Sequence, residues 1–459
     1  MESGCFHTIR KYPLLIRTSD YRKGCPEKVF KINEIYDIAP MNPANTYIMY
    51  ISSDTFLHAA ALFSNSIPQK SERWKAVYDL KIPFYEPYVV GSELSYIADA
   101  IQRGKIADEG PYSQKVKELI ARKFEAPKVL MTASATDALE MAALLVGLKA
   151  GDEVIMPSFT FPSTANAILL RGAKPVFAEI KPETYNIDPD DIERKITDNT
   201  KAIIPVHYGG IGCEMERIMA LADFRKIQVI EDAAQAVNAS YQGKYLGTWG
   251  QIGCYSFHGT KNFTCGEGGA ILINERNPSL MERAEILIQK GTNRSRFLKG
   301  EVDKYTWVDW GSSYGPSEIL MAFLYGQLQE IDRITAKRKW IHERYSNYLL
   351  PFVRNGKISM TTISADCCSN YHLFYVVFGT EAIRDRVKEN LNSHGIQTAF
   401  HYVPLHSSPM GRRLGYAPDD LPLTEEYSRR LLRLPMFTGM AATEVEYVME
   451  KLVNILESL

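Results

Sequence analysis

From residue 82 onward, short apolar runs alternate with segments in which apolar residues recur every three or four positions. Short apolar runs are typical of buried strands, and the three-to-four spacing is typical of amphipathic helices. Strands that alternate with helices favour a mostly parallel sheet covered on both faces and joined by right-handed crossovers. The pattern predicts strands at 128–131, 153–156, 175–180, 201–206 and 228–230, and helices at 92–102, 112–124, 136–148, 164–171 and 214–226.

The pattern changes after Glu318, where a long helical period runs to about Leu349. Beyond it we expect strands at 371–378 and 398–403 and helices at 381–392 and 443–457. This order is typical of a smaller α+β domain. We therefore predict three regions, which are an extension of unknown role at 1–80, a large α/β domain at 81–330 and a small C-terminal domain at 331–459.

Composition narrows the class of protein. A formal net charge of −1 gives no electrostatic reason to bind nucleic acid or an anionic membrane. Residues 1–23 carry many charges and lack the apolar core of a signal peptide, and no apolar run approaches the length of a membrane span. The seven cysteines form no C-x-x-C pair, which favours free thiols. We expect a cytoplasmic protein.

Lys261 is the first candidate for chemistry. It lies in the loop between an alternating segment that ends at 256–258 and a second apolar run at 270–273, and the glycine-rich run 266–269 follows it. Most lysines are solvated surface residues, which is the alternative. A lysine in a partly dry site, however, can lose its proton and form a Schiff base. Such a site also requires a carboxylate, a phosphate-binding turn and an aromatic ring.

Residues at the ends of the predicted strands could supply these three groups. Asp232 follows the strand at 228–230, and a carboxylate there could pair with a protonated ring nitrogen or simply cap the next turn. The segment 132–137 leads from a strand into a helix, which suits a phosphate bound by the Thr136 hydroxyl and the Ala135 and Thr136 amides, or an ordinary Ser or Thr N-cap. Phe161 follows another strand and could stack on a cofactor ring or belong to the core.

Together these residues belong to a set of motifs that resembles a known family. The motifs are S-A-T-D-A-L at 134–139, G-D-E-V-I-M-P-S-F-T-F-P-S-T-A-N-A at 151–167, P-V-H-Y-G-G at 205–210, E-D-A-A-Q-A at 231–236, S-F-H-G-T-K-N at 256–262 and G-E-G-G at 266–269. They resemble the sugar aminotransferases of the DegT/DnrJ/StrS type, which depend on pyridoxal 5′-phosphate. The resemblance covers about residues 82–459.

The resemblance implies the aspartate-aminotransferase-like (type I) fold and a role for each matched residue. Lys261 would bind the cofactor covalently, and Asp232 would pair with the pyridinium nitrogen. Gln235 would bind the 3-hydroxyl of the ring, and Phe161 would stack on it. The residues implied for the phosphate are Ala135, Thr136 and Ser256, with Ser313 reaching the phosphate in the neighbouring subunit of a homodimer with shared active sites. No metal is implied, and His207, His258 and His401 are not spaced as metal ligands.

The reaction implied is transfer of an amino group from L-glutamate to a nucleotide-linked 4-keto-6-deoxyhexose. Four runs resemble family members that make dTDP-4-amino-4,6-dideoxygalactose, namely M-P-S-F-T-F at 156–161, K-G-T-N-R-S at 290–295, D-K-Y-T-W at 303–307 and G-S-S-Y at 311–314. Amination at C3, an equatorial amine at C4 and a non-catalytic regulator that binds the same cofactor are the alternatives. Dehydratase relatives carry histidine in place of the lysine, and Lys261 argues against that chemistry.

Two positions depart from the family pattern. Gly259 stands where relatives often carry glutamate or proline, and Gly315-Pro316 stands where they often carry a larger residue. These departures concern the geometry of two loops and leave the predicted chemistry unchanged.

Overall fold

The computed structural model describes residues 14–18, 28–32 and 82–459. The chain divides into two compact units, Met1–Ile67 and Pro68–Leu459. In the first unit, strands β1 (Leu14–Thr18) and β2 (Lys28–Ile32) pair in antiparallel register. The rest of the extension predicted at 1–80 lies outside the described residues.

The second unit contains a large mostly parallel sheet, two smaller sheets and the helices that cover them. The remaining strands, in chain order, are β3 (Lys128–Thr132), β4 (Glu153–Pro157), β5 (Lys174–Ala178), β6 (Thr200–Ile203), β7 (Gln228–Asp232), β8 (Ser240–Tyr241), β9 (Lys244–Tyr245), β10 (Ile252–Ser256), β11 (Gly269–Ile273), β12 (Ile358–Met360), β13 (Cys367–Cys368), β14 (Phe374–Phe378) and β15 (Leu431–Leu434). The helices are α1 (Glu93–Gln102), α2 (Pro111–Phe124), α3 (Ala135–Leu145), α4 (Pro162–Leu169), α5 (Pro189–Lys195), α6 (Met215–Arg225), α7 (Pro278–Ile288), α8 (Arg294–Leu298), α9 (Glu318–Gln329), α10 (Ile331–Arg354), α11 (Glu381–Ser393), α12 (Pro409–Arg413), α13 (Pro422–Arg430) and α14 (Ala442–Glu457).

The large sheet has seven strands in the order β3-β11-β10-β7-β6-β4-β5. Strand β11 runs antiparallel to both of its neighbours, and the other adjacent pairs are parallel. Its strands are buried on both faces, so alternate residues enter two different cores. Val129 and Met131 of β3 enter one core, whereas Leu130 enters the other. The prediction of a mostly parallel sheet between two helical layers is confirmed.

The C-terminal part contains a three-stranded antiparallel sheet in the order β12-β14-β15. Helices α10, α11 and α14 cover it and share a third apolar core with it. The strand and two helices predicted at 371–378, 381–392 and 443–457 correspond to β14, α11 and α14. The division at residue 330 into two domains stays a prediction.

Two predicted elements of the C-terminal part are wrong. The helical period at 318–349 is two helices, because Glu330 leaves the helical conformation at φ −104° and ψ 17° between α9 and α10. Residues 398–403 form no strand, and within this segment only Ala399 pairs with another backbone, that of Arg433. Phe400 and Val403 are 50% and 59% exposed, so the apolar pattern of this segment does not mark a buried strand.

Neither a membrane span nor a metal site is found in the described part of the chain. No helix there is long and apolar enough to cross a membrane. No group of three or more histidine, cysteine, aspartate or glutamate residues there is arranged to hold a metal ion.

The start of the described second unit is tied into the C-terminal part, and this sets a limit for truncation. Ile82 is buried, donates to Gly395 O at 2.9 Å and accepts from Gln397 N at 3.0 Å. A chain that begins at Lys81 is expected to melt within a few degrees of the full chain and to keep its activity. A chain that begins at Gly91 loses these contacts and should melt roughly 5 °C or more lower. Thermal melting of both chains tests this prediction. Equal melting points would show that the contacts of Ile82 do not limit how far the chain can be truncated.

Candidate active site

A cavity of about 630 Å³ opens at the carboxyl ends of the parallel strands. This edge is where open α/β sheets bind their ligands. All of the predicted site residues except Ser313 line the cavity, which brings together Ala135, Thr136, Phe161, Asp232, Gln235, Ser256 and Lys261. The C-terminal part completes the wall with side chains that the motifs did not indicate, among them His372, His401, Tyr402 and Arg433.

The N-terminus of α3 forms one end of the cavity. Ser134 is its N-cap, and its hydroxyl accepts from Asp137 N at 3.1 Å. Thr136 is therefore not the cap, and its hydroxyl lies 2.7 Å from that of Ser163. A side chain on Gly269 would come within 2.4 Å of the Ser134 backbone, so only glycine lets β11 lie against the start of this helix. Free amides and the helix dipole make this end suitable for a phosphate.

Asp232 ends β7 and is buried, with 5% of its surface exposed. Its carboxylate accepts from the Thr164 hydroxyl at 2.8 Å and from Ala234 N at 3.2 Å. The contact to Ala234 is a local turn, as the capping interpretation predicts, and the catalytic role of Asp232 stays a prediction. Burial raises the pKa of Asp232, and the hydrogen bonds and the charge of Lys261 oppose that rise. A cation placed against this carboxylate would be stabilised.

Glu231, the residue before Asp232 in β7, is held by a network of buried hydrogen bonds. The Glu231 carboxylate is fully buried and accepts from the amides of Gly247 and Gly250 at 2.8 and 2.7 Å. It also contacts His207 Nε2 at 2.8 Å. Because Cys213 N donates to His207 Nδ1 at 3.2 Å, the ring carries its proton on Nε2 and donates it to Glu231. His207 is thus a structural residue of this strand end.

Lys261 lies half-buried in the loop between β10 and β11, where its backbone amide donates to His258 O at 2.9 Å. Burial lowers the pKa of its amine to about 8, Asp232 opposes this change, and Arg433 adds to it. An amine with such a pKa is partly unprotonated near neutral pH, which a nucleophile or proton carrier requires.

The next residue fixes this loop to the C-terminal part. Asn262 Nδ2 donates to Asn370 O at 2.8 Å, and Asn262 Oδ1 lies 2.9 Å from His372 Nδ1. The guanidinium of Arg338, from α10, donates to the carbonyls of Tyr371 and His372. Lys261 is therefore positioned by residues more than one hundred positions further along the chain.

Gln235 and Phe161 lie on further walls of the cavity. Gln235 Oε1 accepts from Gly209 N at 2.8 Å, and its Nε2 donates to the Tyr402 hydroxyl at 2.9 Å. The Phe161 side chain is 60% exposed, whereas Phe159 is fully buried in an aromatic cluster. Phe159 is thus the core residue of the motif, and Phe161 is free to contact a bound molecule.

The residues fit the cofactor that the sequence resemblance implies. One end of the cavity offers the free amides of α3 to a phosphate, and another offers a buried carboxylate to a ring nitrogen. Residues 88–453 match the DegT/DnrJ/EryC1/StrS aminotransferase family. The chain belongs to this family.

Individual relatives agree with the family. GDP-perosamine synthase of Escherichia coli O157:H7 is 32% identical over 372 residues, which is 81% of this chain and 97% of that protein. A pleiotropic regulatory protein of Geobacillus stearothermophilus is 35% identical over 364 residues, 79% of this chain and 94% of that one. Among solved structures, the PLP form of the putative sugar aminotransferase Spr1654 from Streptococcus pneumoniae has a TM-score of 0.76 at 26% identity and covers 82% of this chain and 99% of its own. The aminotransferase fold predicted from the sequence is confirmed.

Ser313 does not join the other predicted residues of this aminotransferase. It is exposed, pairs with the backbone of Gln289 and does not line the cavity. Its predicted contact with the cofactor of a neighbouring subunit stays a prediction.

The two loop departures have different steric settings. A side chain on Gly259 would meet only Gly266 O at 3.7 Å, an ordinary contact. A side chain on Gly315 would lie 3.0 Å from the Asp108 side chain, which is tight. The larger residue of relatives at Gly315 therefore does not fit this loop unless Asp108 moves.

The C-terminal residues of the cavity were not found from sequence because they lie in no motif. Arg433 could have been identified from one feature of the sequence, because it is the single charged residue in the apolar run of β15. A charge inside a buried strand is uncommon and marks a candidate functional residue.

The lowered pKa of Lys261 predicts how the cofactor-free protein reacts with an amine reagent. The neutral amine reacts, so labelling by trinitrobenzenesulfonate should rise about tenfold per pH unit below pH 8 and level off above it. Peptide mass spectrometry measures the Lys261 adduct, with the exposed Lys149 in the same sample as the reference. A Lys261 profile that still rises tenfold between pH 9 and 10 would contradict the assignment.

Proposed function

We propose that the protein moves an amino group from L-glutamate to C4 of a dTDP-linked 4-keto-6-deoxyhexose and so makes dTDP-4-amino-4,6-dideoxygalactose. The cofactor is pyridoxal 5′-phosphate. The observation that carries this function is the presence of an amine with a lowered pKa, Lys261, and a buried carboxylate, Asp232, on the wall of one cavity. The family match supports the aminotransferase class, and the sequence runs at 290–314 support the sugar.

When bound, pyridoxal phosphate supplies the carbonyl that takes up the nitrogen and a ring that withdraws electrons from the reacting carbon. Ala135 and Thr136, at the start of α3, and the Ser256 hydroxyl hold its phosphate. Asp232 would keep positive charge on the ring nitrogen, because its carboxylate is buried and, among the residues the structure describes, accepts only from a hydroxyl and an amide. Gln235 orients the ring through its 3-hydroxyl.

Lys261 has two tasks in this scheme. Its amine would bind the cofactor to the protein, and the same amine would take a proton from the donor carbon in the first half of the reaction and deliver one to the sugar carbon in the second. A pKa of about 8 lets the same amine accept and release a proton near neutral pH. Phe161, whose exposed ring lies on the cavity wall, would pack against the cofactor ring.

We also propose a homodimer in which Ser313 reaches the site of the partner. The segment before Ser313 exposes large apolar side chains, including Tyr305 at 53%, Trp307 at 75% and Trp310 at 67%. A surface with several exposed aromatic rings is typical of an interface. The exposed Ser313 lies directly after them, which supports its contact with a second subunit.

A second candidate differs in the nucleotide. The relative that makes GDP-perosamine favours a GDP-linked keto sugar as the alternative substrate. The other alternative is a non-catalytic regulator, because one relative is described as a pleiotropic regulatory protein. Lys261 and Asp232 in one cavity favour an enzyme over a regulator.

Product analysis tests the proposal. With L-glutamate and dTDP-4-keto-6-deoxyglucose we expect one dominant product with an axial amine at C4, because a site that binds particular hydroxyls disfavours the other placement of the sugar. Proton NMR should show a small H3–H4 coupling. A large coupling would indicate the equatorial amine, and an amine at C3 would exclude amination at C4.

Two parallel reactions complete this test. The GDP-linked keto sugar, supplied in the same way, should react at least tenfold more slowly if the dTDP assignment is correct. The Lys261→Ala variant should lose both turnover and the cofactor adduct that borohydride fixes on the wild-type chain. A fully active alanine variant would contradict the role of Lys261.

Asp232→Asn removes the negative charge that stabilises the ring cation. We expect kcat to fall on the order of 10²-fold or more, which corresponds to about 2.7 kcal/mol. The amide keeps a similar shape, so the melting temperature serves as the control for folding. A loss below threefold in kcat, with normal cofactor content, would show that another group holds the ring nitrogen.

A further inference from the structure

Arg433 is a cation in the active-site wall for which the described residues offer no counter-ion. Its guanidinium forms no hydrogen bond or ion pair within residues 82–459, and its Nε is buried without a partner. The groups that perturb it include no carboxylate. Other buried arginines differ, because Arg384 pairs with Glu381 and Asp385, and Arg338 donates to main-chain carbonyls.

The backbone holds Arg433 in place from both sides. In β15 it lies opposite Tyr375 of β14, and on its other side it exchanges hydrogen bonds with Ala399 at 2.7 and 3.2 Å. The guanidinium carbon lies 4.8 Å from the ring centre of Phe84, a cation–π contact. An arginine fixed in this way loses little freedom when an anion binds, so the side chain is preorganised.

The surroundings leave Arg433 as the permanent positive charge of this wall. Burial, with Arg433 itself as the next cause, holds the pKa of His401 well below its usual range. Burial and the neighbouring cations do the same for His372. Both rings are therefore neutral at pH 7, whereas a guanidinium remains charged. A ligand group that matches this wall is an anion with oxygens spaced for a planar pair of N–H donors.

We propose that Arg433 binds the α-carboxylate of the amino donor and so selects α-amino acids as the nitrogen source. Arg433 lies within electrostatic reach of Lys261, the amine that reacts with the incoming substrate. In an amino acid the carboxylate is bonded directly to the reacting carbon. The inference rests on the proposed function, because it names the group that recognises the donor in that reaction.

The sugar substrate also carries an anion, its diphosphate. In a 4-keto sugar nucleotide that group is attached at C1, several bonds from the reacting C4, so it lies further from the amine that reacts. The groups that couple to Arg433 electrostatically are Lys261, Arg338, His372, His401, Tyr208 and Tyr402, and none of them is a residue of the α3 phosphate end. The donor carboxylate is thus the better match.

The test compares Arg433→Met with Arg429→Met in the protein that holds its cofactor. Methionine removes the charge and keeps an unbranched apolar side chain. Arg429 lies four residues earlier, in α13, is largely exposed, pairs with Glu425 and does not line the cavity. Arg433→Lys, which keeps the charge but not the pair of planar donors, is the second variant if methionine destabilises the fold.

Titration calorimetry with glutarate, a dicarboxylate without an amine, measures recognition without turnover. We expect glutarate to bind wild type and Arg429→Met equally, and Arg433→Met at least tenfold more weakly. In a single turnover with L-glutamate alone, release of 2-oxoglutarate should fall on the order of 10²-fold in kcat/KM for Arg433→Met. For Arg433→Lys, both the glutarate affinity and kcat/KM should lie between those of wild type and Arg433→Met.

The second half of the reaction separates the two anions. Protein loaded with pyridoxamine 5′-phosphate should aminate the keto sugar at a rate within threefold of wild type in Arg433→Met. A loss confined to this half would assign Arg433 to the diphosphate and overturn the inference. Unchanged glutarate binding in Arg433→Met would also overturn it, and so would loss of the cofactor from that variant. If wild type releases no 2-oxoglutarate from L-glutamate, the proposed function fails, and the glutarate titration still decides the role of Arg433.

Discussion

The site depends on the parallel register between β7 and β10. Because Asp232 lies opposite Cys254, the ends of the two strands reach the same edge of the sheet. The buried carboxylate of Asp232 and the loop that carries Lys261 therefore face one cavity. Burial disfavours both charges, and each charge stabilises the other, so neither group takes its ordinary pKa. The chemistry of the site follows from this shared position in a partly dry space.

Close backbone contacts make that geometry possible. Strand β11 runs antiparallel between β3 and β10 and passes against the first turn of α3 at Gly269. Any side chain there would collide with the Ser134 backbone and push the helix N-terminus away from the cavity. Gly269, the last residue of the glycine run after Lys261, thus serves the phosphate end of the site.

The large sheet and most of the site could be predicted because their signals are local. A buried strand such as β3 reads as a short apolar run, and Ser134 and Asp232 lie within a few residues of the strands that position them. The helix break at Glu330 and the absence of a strand at 398–403 could not be predicted in this way. Both depend on packing between distant segments, which changes the outcome of a local apolar pattern.

The same reasoning explains why the sequence identifies the family more readily than the substrate. The residues that fit the cofactor belong to loops of the large sheet and carry motifs, because strand ends and helix starts restrict which residues fit. The wall opposite is built from His372, His401, Tyr402 and Arg433, which are scattered over the C-terminal part. Those side chains face the space left for donor and sugar. Differences in substrate among related enzymes can therefore arise there, without any change in the motifs that hold the cofactor.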